Sequence, residues 1–118
     1  MSRNNTIDYI ELYTNDIAKM KAFYGACFGW TFKDYGPTYT EFNESGLTGG
    51  FEQIEGDVKV GGPLIVLFHE DLEATQAKVE SEGGKITVPI FSFPGGKRFQ
   101  FSDPAGNELA VWNETTES

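Results

Sequence analysis

The sequence predicts an α+β fold in which one β-α-β-β-β module is written twice, on three observations. Short runs rich in β-branched and aromatic residues alternate with two segments of helical periodicity. Each helical segment opens on an aspartate and stops at glycine, and both landmarks recur 55 residues apart, Asp16 with Asp71 and Gly29 with Gly84. The 118 residues suffice for one domain of ordinary size and exclude a two-domain reading.

Residues 6–14, TIDYIELYT, contain no Gly or Pro and read as a strand. Alternation sets Ile10 and Leu12 on one face and Tyr9, Glu11 and Tyr13 on the other, so one face suits a core and the other a polar, aromatic environment. Asn15-Asp16 then starts a helix along which Ile17, Met20, Phe23, Tyr24, Cys27 and Phe28 recur at helical spacing, until Gly29 stops it. Strands follow at 30–34, 38–43 and 50–54, punctuated by Gly36-Pro37 and Glu44-Ser45-Gly46. Module one is thus 6–54, and the polar, glycine-rich residues 55–62 read as a connector.

Module two, 63–113, repeats the pattern. A strand at 63–68 precedes a helix capped by Asp71, with Leu72, Thr75, Gln76 and Val79 on one face and Gly83-Gly84 at its end. Strands at 85–88, 97–102 and 108–112 complete the module, the last two joined by the turn Asp103-Pro104-Ala105-Gly106-Asn107. The extra length of module two falls in a loop around 89–95.

Charge and composition exclude several functions. With 9 Lys+Arg against 18 Asp+Glu, the net charge of −9 has the wrong sign for a nucleic acid or an anionic membrane surface. The longest apolar run, Leu64 to Phe68, is far too short to span a bilayer, and the polar start Ser2-Arg3-Asn4-Asn5 has no signal-like stretch behind it, so a cytoplasmic location is expected. One cysteine, Cys27, forbids an internal disulfide, and one histidine, His69, forbids a site needing two imidazoles from one chain. The four Gly-Gly pairs lack the strand-to-helix setting and the Gly-Lys-Ser/Thr tail of a phosphate loop.

Three motifs, IDYIELYTNDI followed by KAFYGACFGW, then EGGKI, then FQFSDPAGNELAVW, occur in an order that resembles the vicinal oxygen chelate superfamily, which includes glyoxalase I, bleomycin resistance proteins and extradiol dioxygenases. The resemblance covers nearly the whole chain. It implies two β-α-β-β-β modules forming a curved mixed sheet around a cavity, and a homodimer. In metal-using members, His, Gln or Glu ligands project from the first and fourth strands of each module. Carried over, those positions fall at Tyr9, at Gly50 or Glu52, at Leu64 and at Ala110. A phenol is a poor ligand near neutral pH, and Leu and Ala offer no side-chain donor, so no metal and no other cofactor are expected.

The candidate ligand-binding residues are Tyr9, Glu11, Tyr13, Glu52, Phe68 and Trp112. Glu11, between two tyrosines on one strand face, suits a cationic group, or a general base, or simply a carboxylate bonded to a neighbouring strand. Glu52 shares that ambiguity. Phe68 and Trp112 sit at alternating positions whose opposite faces already supply core residues. His69 reads as a surface residue near a helix start, Cys27 as a small buried residue, and Lys97-Arg98 as a solvated strand start or an anion clamp. The resulting expectation is a non-metal protein binding a partly aromatic or cationic small molecule, closer to the bleomycin-resistance branch than to the catalytic ones. The alternative is a glyoxalase-like lyase or isomerase with an atypical site on Glu11 and Glu52.

Overall fold

Among the described residues, 4–5 and 7–114 of a computed structural model, the elements run β1 (Ile10–Thr14), α1 (Ile17–Phe28), β2 (Thr31–Asp34), β3 (Tyr39–Asn43), β4 (Gly49–Gln53), β5 (Ile65–Phe68), α2 (Leu72–Ser81), β6 (Lys85–Phe93), β7 (Gly96–Ser102) and β8 (Glu108–Glu114). They fall into two units that divide between Val58 and Lys59. Each unit has its own four-stranded mixed sheet, ordered β1-β4-β3-β2 in the first and β5-β8-β7-β6 in the second. In both, the first strand pairs parallel with the last, and the other pairings are antiparallel. The doubled β-α-β-β-β pattern of the sequence is therefore the architecture of the molecule.

In module one, Asp16 caps α1 by accepting from the Lys19 N–H at 3.2 Å, and Gly29, at φ 73°, closes it in the left-handed region. Ile17, Met20, Phe23 and Tyr24 are buried, whereas Cys27 and Phe28 in the last turn are half-buried. Tyr24 stacks on Trp30 at 4.6 Å, Trp30 on Phe42 at 4.6 Å, and Tyr24 approaches Phe51 at 5.3 Å, so an aromatic core fills the space between α1 and one face of the sheet. In module two, Leu72, Thr75 and Val79 of α2 are buried on the side of Phe99, Phe101, Leu109 and Val111. Alternation along the strands leaves the other face of each sheet uncovered by its helix.

Several boundaries differ from the sequence expectation. The first strand opens at Ile10, because the ladder to β4 begins with the Ile10–Gly49 pair; residues 7–9 are exposed and unpaired in the sheet, and Thr6 lies outside the described residues. Pro63 and Leu64 stay outside β5, whose ladder opens at Ile65 opposite Leu109. The left-handed glycine after α2 is Gly83, at φ 102°, while the Gly84 N–H reaches the Val79 carbonyl at 2.9 Å. The expected loop at 89–95 is mostly strand: β6 runs on through Pro89 to Phe93, with irregularities between Ile86 and Val88 and between Val88 and Phe91. An edge strand tolerates proline because one side of it forms no ladder, and bulges absorb the extra residues.

The residues between β4 and β5 form neither helix nor strand. The Asn15 amide donates to the carbonyls of Ile54 and Gly56, both at 2.8 Å, tying the start of this segment to module one. Among the described residues, no helix is long and apolar enough to cross a membrane.

Candidate functional site

The uncovered face of module one is built by two register rows. Glu11 pairs with Gly50, and Gly50 with Glu41; Tyr13 pairs with Glu52, and Glu52 with Tyr39. Because Gly50 has no side chain, Tyr39 reaches diagonally across it to the first strand. Its hydroxyl lies 2.5 Å from the Tyr9 hydroxyl and donates to Glu11 Oε1 at 3.1 Å. A phenol has one proton, so Tyr9 donates to Tyr39 and Tyr39 to Glu11, and three side chains form one directed chain.

The electrostatics follow from this packing. Burial, then the bonds to Tyr9 and Glu11, hold the Tyr39 phenol far above its ordinary pKa. The Glu11 charge, followed by a hydrogen bond with it, pushes Tyr13 up as well. Glu11 is thus a carboxylate with phenols on either side, on an exposed strand position. Glu52 is half-buried in the neighbouring row, and Glu41 accepts from the Asn43 amide at 3.1 Å. The face is acidic and aromatic, a combination suited to an organic cation. A concavity of about 280 Å³ at the start of α1, lined by Asp16, Ile17, Lys21, Asp34 and Gln53, is a different feature. Lys21 and Asp34 neutralise each other there at 3.0 Å, and the bonds from Thr40 and then Lys21 hold the Asp34 carboxyl below the usual range.

On module two, the face away from α2 carries Phe68 opposite Trp112 in the register of β5 and β8, with the rings edge to face at 5.7 Å. Trp112 is in turn opposite Arg98 of β7. Of the other singled-out residues, His69 is half-buried, and its Nδ1 accepts from the Asp71 N–H at 3.0 Å, a local turn contact. Lys97 is exposed, but Arg98 is half-buried.

The sequence-predicted residues therefore fall into two sets, Tyr9, Glu11, Tyr13 and Glu52 on one sheet and Phe68 with Trp112 on the other. Sequence reasoning missed Tyr39 and Glu41. Their alternation with Thr40 and Phe42 was legible, but the strand register that carries Tyr39 to Glu11 was not. Of the carried-over metal positions, the Tyr9 hydroxyl is engaged by Tyr39, Gly50 and Ala110 have no donor, and Leu64 is an exposed aliphatic side chain, which leaves Glu52 as the one carboxylate among them.

The sequence profile of the Glyoxalase/Bleomycin resistance protein/Dioxygenase superfamily matches residues 6–111. "Putative glyoxylase CFP32" of Mycobacterium bovis is 27% identical over 120 residues, covering 93% of this chain and 46% of that protein. "Anthracycline biosynthesis protein DnrV" of Streptomyces peucetius is 29% identical over 126 residues, covering 90% of this chain and again 46% of the relative. The chain thus spans about half the length of these curated relatives. Among solved structures, a fosfomycin resistance protein from Listeria monocytogenes, complexed with Mn(II) and 1S,2S-dihydroxypropylphosphonic acid, superposes with a TM-score of 0.79 at 18% identity, covering 96% of this chain and 93% of that one.

Proposed function

This chain belongs to the Glyoxalase/Bleomycin resistance protein/Dioxygenase superfamily, and within it we propose a small-molecule-binding protein that works without a metal. Its ligand carries an organic cation, with an aromatic or apolar body, and is held on the uncovered face of module one by Tyr9, Glu11, Tyr13 and Glu52, with Tyr39 added. The observation that carries this reading is the hydrogen-bonded chain from Tyr9 through Tyr39 to Glu11, cleared by Gly50. It presents one carboxylate among phenol rings. A charged hydrogen bond to that carboxylate, with cation–π attraction to the rings, supplies affinity and charge selectivity.

The test is calorimetric titration of the full chain with an aromatic ammonium compound and its neutral analogue. Glu11→Gln should weaken the ammonium compound by about tenfold or more, as one charge-assisted hydrogen bond requires, and leave the neutral analogue nearly unchanged. Equal losses for both compounds would make Glu11 a structural residue. Elemental analysis separates this reading from the lyase or isomerase on Glu11 and Glu52: one bound transition metal per chain would favour the enzyme.

A further inference from the structure

Module two carries a cation that its own fold leaves unmatched. Carboxylates outnumber cations two to one in this chain, yet the ion pairs among the described residues join Lys21 to Asp34 and Lys78 to Glu82, and none involves Arg98. The Arg98 Nε is buried and has no acceptor. Buried donors are ordinarily paired, and a guanidinium offers five N–H groups.

The surroundings of Arg98 are aromatic. Its guanidinium carbon lies 5.4 Å from the Phe91 ring centroid and 5.9 Å from that of Phe93. Phe68, Trp112, Arg98 and Phe91 are successive register partners across β5, β8, β7 and β6, so they form one row spanning the sheet on the face away from α2. Phe68 is 56% exposed and Phe91 36%. The rings attract the charge but accept no strong hydrogen bond from it. Glu108, two rows away on the same face, has its Oε2 taken by Thr87 at 2.8 Å and Gln100 at 3.0 Å. The row between them runs Val66, Ala110, Gln100 and Val88, with no charged side chain in it.

We infer that Arg98 and the aromatic row of Phe68, Trp112 and Phe91 form a binding site for a small aromatic carboxylate. The carboxylate oxygens accept from the guanidinium, which fits them in a planar, two-point geometry, and the ring of the ligand packs against the exposed aromatic side chains. This site lies on module two and selects the charge opposite to that of the ligand proposed for the acidic face of module one.

The probes are naphthoate, its neutral alcohol and its ammonium analogue, titrated into the full chain while the indole N–H resonance of Trp112 is followed by NMR. Naphthoate should give a saturable shift. Arg98→Met keeps a stem to pack on Phe91 and Phe93, and it should weaken naphthoate about tenfold or more while leaving the alcohol within about twofold. Arg98→Lys keeps the charge without the planar fork and should weaken naphthoate several-fold, which keeps the test open should the methionine variant fail to fold. No saturable shift at millimolar naphthoate, unchanged naphthoate affinity in whichever variant folds, or equal losses of naphthoate and alcohol would overturn the assignment.

Discussion

Gly50 sits so close beneath the hydroxyl of Tyr39 that a β-carbon at this position would collide with it and come within 2.6 Å of the Tyr9 hydroxyl. Gly50→Ala should therefore force Tyr39 out of its bonds to Tyr9 and Glu11. We expect a loss of about 1–3 kcal/mol in chemical denaturation, the usual range for overpacking. Affinity for an aromatic ammonium compound should fall with it. A fully stable alanine variant that binds as well as the parent would show that the chain of hydroxyls is dispensable.

Tyr13 and Tyr39 should ionise late. Both phenols are raised, so the folded state holds their protons more tightly than the unfolded chain does. Their contribution to stability is complete below about pH 10, the unfolded value, and is lost as the pH climbs through the folded values. The denaturation midpoint should fall above about pH 10, and less steeply in Tyr39→Phe. In a phenolate absorbance titration of the five tyrosines, Glu11→Gln should bring Tyr13 into an earlier phase, because the Glu11 charge is the first cause of its shift. All five ionising together would contradict this.

Asp103 should matter more to stability than either helix cap. It is only 4% exposed; its Oδ1 accepts from the Ala105 and Asn107 N–H groups at 2.9 Å, and its Oδ2 from the Asn107 amide at 3.2 Å. Asp103→Ala strands these donors in a buried turn and should lower stability by about 2–4 kcal/mol. Asp71→Ala removes one exposed cap bond, to the Ala74 N–H at 3.0 Å, and should lower it by about 1 kcal/mol. Thermal melts of the two variants, run side by side, give the order.

A homodimer is expected in solution. Each sheet is open, and Val60 of the connector and Leu64 and Val66 of module two are exposed, surface that a symmetric copy would cover. Light scattering at micromolar concentration should give twice the chain mass, and a monomer mass across that range would rule the dimer out.

Local signals in the sequence were read well, and non-local ones were not. Asp16, Gly29 and Asp71 act through bonds three or four residues long, so the helices stand where the pattern set them. Strand β6 was cut short at Pro89, because proline reads locally as a breaker; only the position of β6 at a sheet edge makes it tolerable there. Glu11 could be placed on a face with Tyr9 and Tyr13 from alternation alone, but Tyr39 joins them through a register of three strands. Lys97-Arg98 read locally as a solvated strand start or an anion clamp, and only the pairing of Arg98 with Trp112 and Phe91 puts it in an aromatic row.

The hook made by Asn15 has a consequence for where this chain can be opened. It fastens the carbonyls of Ile54 and Gly56, and the Ile54 N–H bonds to Thr14 at 2.9 Å, so the backbone as far as Gly56 belongs mechanically to module one. Among the described residues no comparable hook holds 57–62, and only Val58 of these six is not exposed. A foreign peptide grafted just after Gly56 thus meets chain that no ladder and no cap depends on, whereas the same graft two residues earlier unfastens Asn15. The boundary between tolerated and damaging insertions lies at a single glycine.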